Sequence, residues 1–391
     1  MTPTPQRNRL ILWYCLAIGS VGALHPFLSL VLRRRGAGPT ETTLLLALFP
    51  LGLLIAGPVW GWLADRSPHG TRVIASALAV ATAGSVVLLI PGSYLVLVPG
   101  LALLALSRSG AISLTDVYTL SALGGGEAGR RSYGRVRMWG SICFIAAVQG
   151  VGLLAGNWPD ASLFVHAGLV VSLAVLTLTM RAEPSQAAHR TPTPLKALLL
   201  RPALVRLFLI SFLHVAAMSS YDNLFALHGN ELGLSDGMIG AAFGLGVGAE
   251  VIVLFLSPAL LTRFSPRSLI AAAVLSGVPR WWITGAAESH LMIIAVQALH
   301  GATFGLWWVG GVAFVSQQAP IALRSSAQAI FVASGFGLGN LAALVAASIT
   351  LASVGTALWF QGLAGVSLLA VLFLPWALQT APDTTSSDAA A

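Results

Sequence analysis

Twelve long apolar stretches follow one another along nearly the whole chain, separated by short polar turns. A hydrocarbon core about 30 Å thick is crossed by roughly 20 apolar residues in helical form. Within it every backbone N–H and C=O needs an internal partner, so spanning segments are helices or closed barrels. Continuous apolar runs of this length predict helices. They are expected over residues 9–32, 41–64, 72–92, 95–121, 133–155, 162–181, 203–228, 235–262, 267–286, 289–317, 324–352 and 355–378. The run after Met1–Arg9 is too long for a signal-peptide core and reads as an uncleaved first span.

Only 9% of residues are charged and 56% are hydrophobic, whereas a soluble domain carries about 25% charged residues. The formal charge of +8 does not point to nucleic acid, because the basic residues lie at the ends of apolar runs and are not gathered into a binding face. Cys15 and Cys143 both fall inside apolar stretches, which argues against a disulfide and against a metal site. No P-loop and no nucleophile–base set appears, so neither ATP coupling, a cofactor nor an enzymatic activity is expected.

Charge sets the orientation. With the N-terminus inside, the inner segments hold Arg7, Arg9, Arg66, Arg72, Arg130, Arg131, Arg135, Arg181, Arg190, Lys196, Arg201, Arg206, Arg263, Arg267 and Arg324. The outer segments hold Arg33, Arg34 and Arg35. This asymmetry predicts two cytoplasmic termini. The longest loop, 182–202, contains Pro184, Pro192, Pro194 and Pro202 and divides the chain into two groups of six spans. The expected organisation is a six-helix bundle over 1–181, a cytoplasmic linker over 182–202, a second six-helix bundle over 203–379 and a disordered tail over 380–391. The halves look related. Pro58 and Pro258 precede matching loops, and Arg9 and Arg206 open matching spans. Gly38-Pro39-Thr40-Glu41 and Gly233-Leu234-Ser235-Asp236 each place a hydroxyl and an acid at a helix start, where free N–H groups favour them. Parallel six-span halves are a layout of transporters that alternate access around a midplane site.

Gly61-Trp62-Leu63-Ala64-Asp65-Arg66 resembles the loop motif of the major facilitator superfamily, and the likeness extends over all twelve spans. Tyr133-Gly134-Arg135-Val136-Arg137-Met138-Trp139-Gly140-Ser141 resembles the fifth span of the lactose permease and phenylpropionate permease-like branch. Ala249-Glu250-Val251, Arg280-Trp281-Trp282 and Gln297-Ala298-Leu299-His300-Gly301 are similar to the same branch. The resemblance implies an all-α membrane transporter with two pseudo-symmetric bundles. It also implies proton-coupled symport of a sugar, nucleoside or aromatic acid, with a proton-driven exporter as the alternative. The expected setting is a monomer in the inner membrane, with solute, protons and lipid as its partners.

Six ionisable residues other than His lie in the interior of predicted spans: Arg108, Asp116, Arg137, Asp222, Glu250 and Arg280. At about 2.5 kcal/mol each, they represent an insertion cost on the order of 15 kcal/mol before pairing, so they are expected to face a wet cavity and to pair. Asp116 with Arg137 and Glu250 with Arg280 are the expected pairs, with structural ion pairs as the plainer reading of each. By resemblance, Asp116, Arg137 and the aromatic position Phe144 would contact substrate, joined by His25 and Arg108. Glu250, Arg280, His300 and Asp222 would couple it to a proton, and Gly61, Asp65 and Arg66 would form a gating motif. Thr303 stands where this branch carries an acid three residues after the span-10 His, so the proton falls to Glu250, Asp222, Asp116 or His300. His214, Tyr14, Tyr118, Tyr221 and Asn223 are further polar groups inside spans, for which helix packing competes with substrate contact. The same choice between ligand stacking and core or interface packing applies to Trp281, Trp282, Trp307 and Trp308.

Overall fold

The computed structural model of the chain describes residues 4–67, 69–123, 126–180, 198, 200–320 and 323–378. Most of the expected linker and the whole of the expected tail over 380–391 lie outside the described residues. The described chain is helical, with eleven helices long and apolar enough to cross a membrane. We label them α1 Gln6–Arg34, α2 Pro39–Arg66, α3 Gly70–Val87, α4 Tyr94–Leu120, α5 Ser132–Ala155, α6 Ala161–Leu178, α7 Pro202–Glu231, α8 Asp236–Arg263, α9 Pro266–Ala286 and α10 His290–Gln318. The last, Ser326–Ala377, has 52 residues and is broken at Gly355. Gly355 sits at φ 75° and ψ 167°, a backbone state that glycine adopts without steric cost. The break divides the run into α11 and α12, which brings the spans to the twelve expected.

Several helices are locally irregular where the sequence demands it. Pro26 has no N–H to continue the ladder, and α1 narrows to a 3₁₀ turn over His25–Phe27. In α10 a π-helical stretch covers Gly301–Leu306, and in α11 another covers Ala333–Gly339. Close helix approaches rely on small residues. A methyl at Gly22 would lie 2.7 Å from the Phe144 carbonyl oxygen, which locks α1 against α5. Gly84 and Gly100 meet in the same manner between α3 and α4.

The expected caps are met in one half only. Ser235 caps α8, its hydroxyl accepting from the Met238 N–H at 3.2 Å. Thr40 does not cap α2: Gly38 holds that position, and the Thr40 hydroxyl instead donates to the Ser348 carbonyl at 2.8 Å. Pro39 already supplies a first-turn residue without an N–H, which frees Thr40 for a partner on α11.

The apolar core has three parts. One joins the two halves, with Leu28, Leu32, Leu101 and Val148 packed together with Phe225, Phe243, Leu344 and Phe360. It lies toward the face opposite the N-terminus. The face that carries the N-terminus has two separate cores instead. Leu10, Trp13, Ile74, Ala111 and Val136 form one from the first six spans. Leu207, Ile270, Phe314, Phe331 and Leu374 form the other from the last six. The halves therefore meet at one face and part at the other. Ion pairs reinforce the closed face: Arg34 bonds Asp236 across the halves at 2.8 Å, and Arg35 bonds Asp160 at 3.2 Å.

Candidate functional site

Where the two groups of spans part, a cavity of about 410 Å³ lies at mid-depth, within the range of about 300–1,000 Å³ usual for small-molecule sites. The first-half wall presents His25, Arg108, Arg137, Ser141 and Phe144. The second-half wall presents Asp222, Glu250, His300, Phe304, Phe336 and Asn340. The irregular helices put these side chains there. His25 stands at the 3₁₀ break of α1, with its ring edge-on to Phe49 at 5.7 Å. His300 and Phe304 flank the start of the π-helical stretch of α10, and Phe336 and Asn340 lie in or just after that of α11. A π-helical turn shifts the face a helix presents, and such turns recur at functional sites.

Glu250 and Arg280 do not touch as an ion pair. His300 stands between them. Its Nε2 is 3.4 Å from Glu250 Oε2, and its Nδ1 is 3.1 Å from Arg280 Nη1. A guanidinium can only donate, so Nδ1 must be the acceptor. That places the ring proton on Nε2, directed at Glu250, and makes His300 neutral in this arrangement. Arg280 is fully buried. It donates to Thr303 Oγ1 and to Gln297 Oε1, the latter at 3.1 Å through Nη2, and it lies 4.3 Å from the Tyr221 ring centre. Gln297 in turn donates to Thr284 Oγ1 at 3.1 Å. The buried cation is thus held by neutral donor-saturated partners and one imidazole. Among the described residues, His300 bridges it to Glu250, and the charge of Arg280 also acts on Asp222.

Asp116 and Arg137 do not pair either. The Tyr14 hydroxyl donates to Asp116 Oδ1 at 2.6 Å, and the Arg137 guanidinium lies 5.6 Å from the Tyr14 ring centre. Tyr14 is interposed, and Asp116 is absent from the cavity wall, about two helical turns along α4 from Arg108. Arg108 and Arg137 form no ion pair or hydrogen bond among the described residues. Arg108 rests against the Phe49 ring at 5.7 Å. Each faces an acid of the other half: the charge of Asp222 acts on Arg108, and that of Arg137 acts on Glu250. Asp222 itself accepts no hydrogen bond among the described residues.

Gly61, Asp65 and Arg66, expected to gate, are absent from the cavity wall and lie at the open face. Arg66 stacks on Trp62 at 4.2 Å within α2. Asp65 is exposed, without a partner among the described residues, and a methyl at Gly61 would meet nothing. His214 is not a cavity residue: it is buried, with Nε2 2.7 Å from the Thr303 carbonyl. Asn223 donates to the Ser219 carbonyl at 2.7 Å, and Trp281 and Trp307 are core residues. Gln297, Thr303, Phe304, Phe336 and Asn340 carry parts of the site that charge patterning passes over. The glycine run Gly335-Phe336-Gly337-Leu338-Gly339 falls within the π-helical stretch of α11, and a Cβ at Gly335 would meet Ser211 Oγ of α7 at 2.7 Å.

Comparison with known proteins fits this architecture. The model of the MFS_1 like family matches residues 8–361. The maltose permease of Geobacillus stearothermophilus is 27% identical over 331 residues, covering 84% of this chain and 83% of that protein. A protein of Escherichia coli named "Probable 3-phenylpropionic acid transporter" is 29% identical over 191 residues, 47% of this chain and 50% of its own length. A crystal structure of the nucleoside transporter NupG superposes with a TM-score of 0.82 over 96% of this chain and 100% of that one, at 15% identity, which shows a shared fold.

Proposed function

The chain belongs to the MFS_1 like family of membrane transporters and is not an enzyme, and we propose that it couples the movement of a small organic solute to a proton by alternating access. The observation that carries this reading is the Glu250–His300–Arg280 relay, which places a proton-accepting carboxylate on the cavity wall and ties it to a buried cation. A carboxylate alone would be an ion stranded in a low-dielectric wall, and protonation removes that charge. The imidazole transmits any displacement of Arg280 to Glu250, so a helix shift at α9 or α10 changes how readily Glu250 holds a proton. Asp222, facing Arg108 across the same cavity, offers a second carboxylate of this kind.

The solute belongs in the cavity between the two halves. The relatives are named for maltose, 3-phenylpropionic acid and nucleosides, which supports a sugar, nucleoside or aromatic acid as the solute, and the volume suits a molecule of that size. The distribution of basic residues supports an open face toward the cytoplasm, and the reading takes the protein as a monomer of the inner membrane. Purified protein is first screened by thermal shift against sugars, nucleosides and aromatic acids, since a ligand of the folded state raises its stability. The hit is then followed in proteoliposomes under an imposed pH gradient. Uphill uptake with concurrent internal acidification supports coupling, whereas equal uptake with and without the gradient rejects it.

A further inference from the structure

We propose that the transported solute is a small organic monoanion, gripped by Arg108 and Arg137, and that it crosses together with one proton as a neutral load. The inference rests on the symport reading above and deepens it by assigning the chemistry of the solute.

The first observation is the allocation of donors. Three buried or half-buried guanidiniums surround the site, and they are not equivalent. Arg280 spends its donors on Gln297, Thr303 and His300, and it stands behind the wall. Arg108 and Arg137 lie on the wall and donate to nothing among the described residues. Each is supported instead by an aromatic face, Phe49 for Arg108 and Tyr14 for Arg137. Ring support holds a guanidinium in place without consuming its hydrogen-bonding fork, which is shaped to receive a carboxylate bidentately. Asp116, the acid that would have neutralised Arg137, is instead held by Tyr14 away from the cavity.

The second observation is the segregation of charge. Both free cations belong to the first half, and both cavity carboxylates, Asp222 and Glu250, belong to the second. With both acids ionised the four wall ions, Arg108, Arg137, Asp222 and Glu250, cancel, and behind the wall Arg280 and Asp116 cancel each other. An anion entering alone would leave the cavity at minus one, and a neutral solute entering with a proton would leave it at plus one. Unbalanced charge in a membrane interior is costly. One anion together with one proton on Asp222 or Glu250 restores neutrality. The anion relieves Arg108 and Arg137 of their distant partners, and the acid so released takes up the proton. No bond beyond that O–H forms or breaks, and the proton is supplied by the external solution. Four rings, Phe144, Phe243, Phe304 and Phe336, face the space beside the neutral polar groups of Ser109, Ser113, Ser141 and Asn340, so the body of the anion carries an apolar or aromatic part that these rings can cover.

The test compares charge at constant shape. Purified full-length protein is titrated calorimetrically with 3-phenylpropionate and with 3-phenylpropionamide, its uncharged isostere, and with maltose and uridine as neutral polyols. The carboxylate is expected to bind at least about tenfold more tightly than the amide. Arg108→Gln and Arg137→Gln should each remove that preference, while Arg137→Lys should keep part of it. Preference for the amide, or binding of maltose or uridine that survives both Arg→Gln substitutions, overturns the proposal. Failure of the carboxylate to bind at all, with folded monodisperse wild-type protein, overturns it as well. In proteoliposomes, uptake of the carboxylate should follow the pH gradient and be insensitive to a potassium–valinomycin potential. Uptake that follows the potential overturns the one-to-one neutral load. The two readings separate cleanly. Carboxylate binding through Arg108 and Arg137 without any response to pH upholds the anion site and removes proton coupling. A pH-driven neutral solute does the reverse.

Discussion

At the scale of the residue, the site depends on how one buried guanidinium is satisfied. Arg280 is fully buried and shares no ion pair with a carboxylate among the described residues. Removing a neutral partner from it leaves donors stranded, which costs about 1.5–3 kcal/mol for a hydrogen bond to a charged group. Gln297→Leu is therefore expected to lower stability by about that amount, read as an earlier thermal unfolding of the purified protein. An unchanged melting temperature would mean that water or a rearranged Thr303 replaces Gln297. Glu250→Gln acts differently, since an amide keeps the shape and cannot cycle a proton. It should abolish proton-driven accumulation while solute binding and solute exchange persist. Uphill transport by Glu250→Gln would move the proton to Asp222 or His300. Glu250, Arg280 and His300 were legible in the sequence because ions stand out in apolar runs. Gln297 and Thr303 were not, because a neutral polar residue in a span looks the same whether it packs a helix or holds a charge. The interposition of Tyr14 between Asp116 and Arg137 was equally hidden: spacing along two helices fixes neighbours, not which side chain comes between them.

At the scale of the element, span boundaries followed directly from hydropathy, and the two halves matched in their prolines. Thr40 shows the limit of that symmetry. Sequence put it at a cap, as Ser235 is, yet it serves as a clasp to Ser348. Local capping rules do not see a partner more than 300 residues away. The same closed face carries the Arg34–Asp236 pair, with Asp236 nearly buried and Arg34 one-third exposed. A pair so placed contributes about 0.5–1 kcal/mol. Asp236→Asn should therefore shift the balance of closed and open forms at this face by about two- to fivefold toward open. Spin labels at positions 41 and 352, which flank the clasp on α2 and near the α11–α12 break, would report it as a growing long-distance population. No change in the distance distribution would assign the closure to the apolar core around Leu28, Phe225 and Leu344 alone.

At the scale of the whole molecule, the sequence specified twelve spans and two related halves, but not the conformational state. Both states of an alternating-access protein use the same hydropathy pattern and differ only in which apolar faces meet. The structure shows the meeting face through one shared core and the parted face through two separate ones. The Gly61–Arg66 segment lies on the parted face, and Asp65 is exposed there without a partner among the described residues. An acid at a loop end is suited to an arginine or to the positive N-terminus of a helix, with a worth of about 0.3–1 kcal/mol. We propose that such a contact forms only when this face closes, so that Asp65 would stabilise the state in which the cavity opens to the other side. Asp65→Asn should leave the present conformation and its cavity unaltered. Solute affinity, measured on purified protein, is then expected to stay within about twofold of wild type. The turnover rate should fall by about two- to fivefold, because the closed state loses the stabilisation that the open one never had. The split between the two readouts identifies the role. A lost binding signal with wild-type turnover would place Asp65 in solute recognition instead, which its absence from the cavity wall argues against.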